Sequence, residues 1–246
     1  MDFTALLLII TLICGVSFIL YKSFEFNNKT FYIIEFFASL FPILFIVLFI
    51  RSFIVEPFRI PSGSMIPTLL VGDFILVNKY KYGIRVPLTN ELIFENNYPN
   101  RGDVIVFQFP ENTKINYIKR VVGIPGDKIE YINKTLFVNG KPLQLKTINN
   151  LNIYNPNPSN GTIYLENNGT KEYSILNNSV RAIDFQYSVP DDNYFVLGDN
   201  RDNSNDSRYW GTVHKNNLIG EAFMIWMYWN PQSQVKTFDR VGKDIE

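Results

Sequence analysis

The chain has 246 residues, enough for one ordinary domain or two small ones, with 23 basic and 23 acidic side chains. A formal net charge of zero gives no reason to expect a polyanionic partner such as nucleic acid. A single cysteine, Cys14, and a single histidine, His214, exclude a disulfide framework and a site built from His and Cys ligands.

The first 55 residues differ from the rest. "TALLLIITLICGVSFIL" (4–20) is uncharged, and "FYIIEFFASLFPILFIVLFI" (31–50) carries only Glu35. A spanning helix needs roughly 20 mostly apolar residues, so two transmembrane helices are expected, at about 4–21 and 31–51. A cleaved signal peptide is the alternative for the first. It lacks a basic start, since Asp2 is acidic, and has no clear small-x-small junction. Charge bias leaves orientation undetermined, because Lys22 and Lys29 face Glu25 on one side, and Arg51 and Arg59 face Glu56 on the other. Asn-x-Ser/Thr triplets at Asn133, Asn160, Asn168, Asn177 and Asn205 argue against a glycosylating lumen.

Beyond residue 55 the pattern becomes short runs rich in Val, Ile, Phe and Tyr, broken by Gly, Pro, Asn and Asp. Strands are expected at 73–80, 103–109, 117–124, 128–132, 135–140, 193–198 and 221–229, with a hairpin turn at Asn139-Gly140. The predicted fold is mainly β: two N-terminal helices, then an all-β domain over 56–140 and 183–246. The Asn-rich stretch 141–182 reads as an inserted, smaller β/loop lobe.

Three stretches carry chemistry. "FRIPSGSMIPTLLVGD" (58–73) places Ser62 and Ser64 on either side of Gly63. In "NYIKRVVGIPGD" (116–127), strand alternation puts Tyr117, Lys119 and Val121 on one face and Ile118, Arg120 and Val122 on the other. An amine buried among apolar neighbours loses hydration of its charged form, so its pKa falls and it can accept a proton near neutral pH. On this stretch alone Lys119 is either such a base or an ordinary lysine reaching out from a sheet edge. "GDNRDNSNDSRYWG" (198–211) packs Asp199, Asp202 and Asp206 with Arg201 and Arg208. It is a calcium loop, an interlocked hydrogen-bonded loop, or a solvated turn. Counted from Asp202, an EF-hand fails at Ser207, where glycine belongs, and at Val213, where glutamate belongs. His214 reads as structural.

Taken together, "PSGSMIPTL", "RGDVIVF", "YIKRVVGIPGD" and "GDNRDNSNDSRYWG" resemble, in order, the four boxes of bacterial type I signal peptidases, which are membrane-anchored Ser–Lys proteases. The resemblance implies a serine endopeptidase that removes N-terminal signal peptides from exported preproteins. Ser64 would be the nucleophile and neutral Lys119 the general base. The Ser62 hydroxyl and the Ser64 N–H would form the oxyanion hole. Ser204 would orient the lysine amine, Asp206 and Arg208 would brace the loop, and Asp199 and Arg201 would be structural members of it. Phe58, Ile60, Pro61, Met65, Leu69, Ile75, Val106, Tyr117 and Ile118 would surround two shallow apolar pockets for small substrate side chains. No cofactor or metal is implied. The implied partners are signal peptides, the lipid bilayer and, through functional coupling, the secretion translocon. The implied location is the bacterial inner membrane, multi-pass, with the catalytic domain on the periplasmic face. Asn116 stands where the family commonly has Asp, and 130–190 is short and lacks a cysteine pair. The rivals are a related Ser–Lys protease acting on itself or on one partner, and a membrane-anchored β module that only binds.

Overall fold

The computed structural model describes residues 3–24, 29–148, 161–178, 184–233 and 235–245. The apolar start folds as two helices, α1 (Phe3–Ser23) and α2 (Lys29–Phe49), close to the expected bounds. Both are long and apolar enough to cross a bilayer, with mean hydropathy 2.7 each. They pack as an antiparallel hairpin along a stripe of α1 at helical spacing, Leu7, Thr11 and Cys14, with Ala38 of α2 also enclosed. Small residues allow the close approach. A Cβ on Gly15 would stand 3.0 Å from the Phe41 ring, which also meets Phe18. The hydroxyls of Thr11, Ser17 and Ser39 donate to carbonyls one turn back, so none needs water.

A single π-helical turn, Ile50–Ile54, ends the second helix and leads straight into the strand Val55–Arg59. The junction is tied by Arg51 and Lys79, each 3.0 Å from the Glu56 carboxylate. This strand is the edge of the main antiparallel sheet. Its spatial order is Val55–Arg59, Asp73–Asn78, Leu218–Tyr228, Val104–Phe109, Asn112–Gly123, Asn193–Leu197, Val213–His214. Pro57 is tolerated there because an edge strand has one side without ladder bonds. The sheet buries two apolar clusters. One joins Ile60, Met65, Leu69, Ile75, Val104 and Val106; the other joins Tyr82, Ile105, Phe107, Val121 and Val196.

A second sheet pairs Phe185–Ser188, Lys128–Ile132, Thr135–Val138 and Lys141–Pro142. Asn139 and Gly140, at φ +53° and +76°, make the expected hairpin turn. Within the Asn-rich stretch, Gln144–Thr147, Gly161–Asn167 and Glu172–Asn178 form a three-stranded antiparallel sheet. It is locked to the core by a fully enclosed ion pair between Glu166 and Arg201, one arm of which is 2.8 Å long.

Candidate active site

Ser64 sits in the turn that follows the edge strand. The turn is closed by Ile66 N–H on the Gly63 carbonyl (3.2 Å) and Leu69 N–H on the Met65 carbonyl (2.9 Å). Met65 and Leu69 have no exposed surface, so their burial pins the turn from below. Lys119 comes from the long strand Asn112–Gly123, opposite Ile105. Alternation along that strand is as expected: Val121 with Tyr117 packs on one cluster, Ile118 on the other.

The two meet. Lys119 Nζ lies 2.7 Å from Ser64 Oγ and 2.9 Å from the Ile118 carbonyl. Lysine is seldom buried, yet this side chain is 4% exposed. Loss of hydration pushes its amine from 10.5 down to about 8, although the carboxylates of Asp206 and Asp199 pull it part of the way back. A neutral amine at this distance can take the serine proton.

The 198–211 loop is held by buried pairs. Asp206 caps the short helix Ser207–Trp210, binds Arg208 at 2.8 Å and accepts from Gly198 N–H at 3.0 Å. The Asp199 carboxylate receives two bonds of 2.8 Å from Arg120, and Arg201 pairs with Glu166. Ser204 is brought beside the dyad but does not bond the lysine. Its hydroxyl is enclosed with no partner among the described residues. It rests against Gly198, while the amine is occupied by Ser64 and Ile118. His214 caps a 3₁₀ turn, accepting from Asn216 N–H.

In front of the dyad lies a cleft of about 420 Å3 lined by Pro61, Ser62, Ser64, Tyr117, Ile118 and Lys119 among others. Ser62 is exposed there. Of the nine residues expected to contact substrate, Pro61, Tyr117 and Ile118 line this cleft. Ile60, Met65, Leu69, Ile75 and Val106 form the apolar layer in which Ile118 is packed, with Phe58 at its margin. Ile115, Asn203 and Asn205 also reach the cleft. Ile115 was missed because the polar run Asn112–Asn116 hid the start of its strand. The two asparagines lay inside a recognised motif but carry no titratable group to single them out.

The family model described as "Signal peptidase, peptidase S26" matches residues 33–229. A signal peptidase I of Pseudomonas fluorescens is 48% identical over 232 residues, covering 87% of this chain and 80% of its own. That of Pseudomonas aeruginosa is 47% identical with the same coverage. That of Buchnera aphidicola subsp. Baizongia pistaciae is 40% identical over 90% of this chain and 86% of its own. With a family match over most of its length, and relatives this similar along most of theirs, the chain belongs to the signal peptidase family of serine peptidases, peptidase S26.

Proposed function

We propose that this chain is a membrane-bound endopeptidase that cleaves signal peptides from exported preproteins, with Ser64 as nucleophile and neutral Lys119 as general base. The observation that carries this reading is the 2.7 Å approach of an enclosed lysine amine to a serine hydroxyl at the wall of an open cleft. Ser64 Oγ attacks the scissile carbonyl as its proton passes to the amine. The Ser62 hydroxyl and the Ser64 N–H stabilise the oxyanion, each such donor being worth about 2.7–4 kcal/mol of barrier. The ammonium then protonates the leaving amine. In the second half, the amine takes a proton from water as the water attacks the acyl carbonyl, and the ammonium returns that proton to Ser64 Oγ as the ester bond breaks. The Asp206–Arg208 pair braces the loop beside the dyad.

Substrate choice follows from the apolar layer behind Pro61 and Ile118. Its members are tightly enclosed, so a large side chain finds no space. Exclusion of this kind separates substrates better than attraction between methyl groups. The helical hairpin holds the enzyme in the plane that also holds its substrates, which raises their effective concentration. A short connection between two spans places the N-terminus and the catalytic part on one side, here the periplasmic face of the inner membrane.

The test is cleavage of a signal-bearing precursor by the wild type and by Ser64→Ala and Lys119→Arg, all in detergent. Both variants are expected to fold and to lose activity. Turnover by either one rules out the dyad.

A further inference from the structure

The turn that presents Ser64 is gripped from behind by one residue that the chemistry above does not use. Asn200 N–H donates to the Ser64 carbonyl at 3.1 Å. Its side-chain amide donates to the Gly63 carbonyl at 3.0 Å, which also accepts from Ile66 N–H at 3.2 Å. A trans peptide unit is planar, with its C=O and N–H pointing in opposite directions. The Gly63–Ser64 bond is trans, since among the described residues the cis bond is Ile66-Pro67. Drawing the Gly63 carbonyl back towards Asn200 therefore turns the Ser64 N–H the other way, towards the cleft. That N–H has no protein acceptor among the described residues.

Asn200 is built to do this. It is 4% exposed, and its Oδ1 has no partner among the described residues, so it serves here as a donor. Its backbone is fixed on both sides. Leu176 N–H donates to the Asp199 carbonyl at 2.8 Å, and Arg201 N–H donates to the Leu176 carbonyl at 2.9 Å. The flanking side chains end in buried ion pairs, Asp199 with Arg120 and Arg201 with Glu166.

We infer that Asn200 is a positioning residue that aims the Ser64 N–H at the developing oxyanion, and that the strand Glu172–Asn178 braces it. This inference rests on the Ser64–Lys119 reading. It makes Asn200 a determinant of transition-state stabilisation, not of substrate binding or of the base.

The test uses the full chain in detergent and three probes built on one cleavage-site sequence. These are a cleavable peptide, a peptide aldehyde whose Ser64 adduct carries an oxyanion, and a peptide whose scissile amide is reduced to CH2–NH and can form none. Asn200→Ala is expected to lower kcat about 10- to 100-fold, less than or equal to outright loss of an oxyanion donor. Aldehyde inhibition weakens by a similar factor, while KM, reduced-peptide affinity and the midpoint of the acid limb stay unchanged. Asn200→Leu, which keeps about the same volume, loses the donor and adds no charge, gives the same pattern. Wild-type kcat and aldehyde affinity in both variants would overturn the inference. So would equal loss of aldehyde and reduced-peptide binding, which marks general damage to the site. Cleavage by Ser64→Ala sinks the dyad reading itself. An inactive Ser64→Ala beside unaffected Asn200 variants sinks only the assignment to Asn200.

Discussion

Gly198 lies so close to the turn that carries Ser64 that a Cβ placed on it would meet the Ser64 carbonyl oxygen at 2.5 Å and overlap the Ser204 side chain. Backbone cannot move aside as a flexible side-chain tip can. Gly198→Ala is therefore expected to destabilise the fold by about 1–3 kcal/mol and to slow precursor cleavage at least tenfold. Denaturation midpoints and single-turnover rates check both, and a wild-type rate would mean that the turn is free to shift.

The pH profile of kcat/KM should show one acid limb set by Lys119. Its amine is pushed down to about 8 by loss of hydration, so the ammonium that forms below that pH cannot act as a base. Activity is expected to fall roughly tenfold per pH unit below about 8 and to level off above it. Lys119→Arg should abolish activity across the range, because guanidinium stays charged. Full cleavage at pH 5 would contradict the assignment.

The same lysine should cost stability at neutral pH. Its folded pKa, about 8, lies below the ordinary 10.5, so between those values the unfolded chain binds more protons and stability rises with pH. Below about 8 the penalty is fully present, about 3 kcal/mol for a shift of this size. Lys119→Met should then be more stable than the wild type at pH 7, by up to that amount, with the advantage vanishing above pH 10.5. Denaturation of both proteins at pH 7 and in strong alkali decides it; a difference that does not change with pH refutes the shift.

Glu166 and Arg201 form a pair with almost no exposed surface. Removing one partner strands a buried charge, so Glu166→Ala is expected to destabilise by about 3–5 kcal/mol. The double variant Glu166→Leu/Arg201→Met removes both charges and should recover most of that loss. Strict additivity of the two changes in denaturation would show that the pair is not coupled.

Much of this fold could be read from residue patterns. The strand Lys128–Ile132 falls where alternation put it, and the two spans differ from expectation by a few residues at their ends. The strand Val55–Arg59 was not foreseen, because Pro57 argues against a strand until an edge position is known. Gly161–Asn167 and Glu172–Asn178 were hidden by asparagines, which favour turns locally and are overridden here by burial of Ile163, Tyr173 and Ile175. At the site, alternation put Lys119 among apolar neighbours but left it either a base or an edge lysine, and the resemblance gave it its role. The resemblance supplied Ser204 as its partner, whereas the structure gives the amine the Ile118 carbonyl beside Ser64. Neither route could find Glu166 or Asn200. Their roles depend on contacts 35 and 137 positions away along the chain.

The turn Ile50–Ile54 passes into the edge strand without a linker, and Ser64 follows five residues after that strand ends. A five-residue strand spans roughly 15–20 Å. In the proposed membrane-bound enzyme, with the helical hairpin seated in lipid, this short connection would hold Ser64 at a set height above the bilayer. The enzyme then acts as a gauge. A scissile bond must stand at that height to be cut, whatever its side chains, and one moved a few residues nearer to or farther from its own apolar segment should pass by uncut.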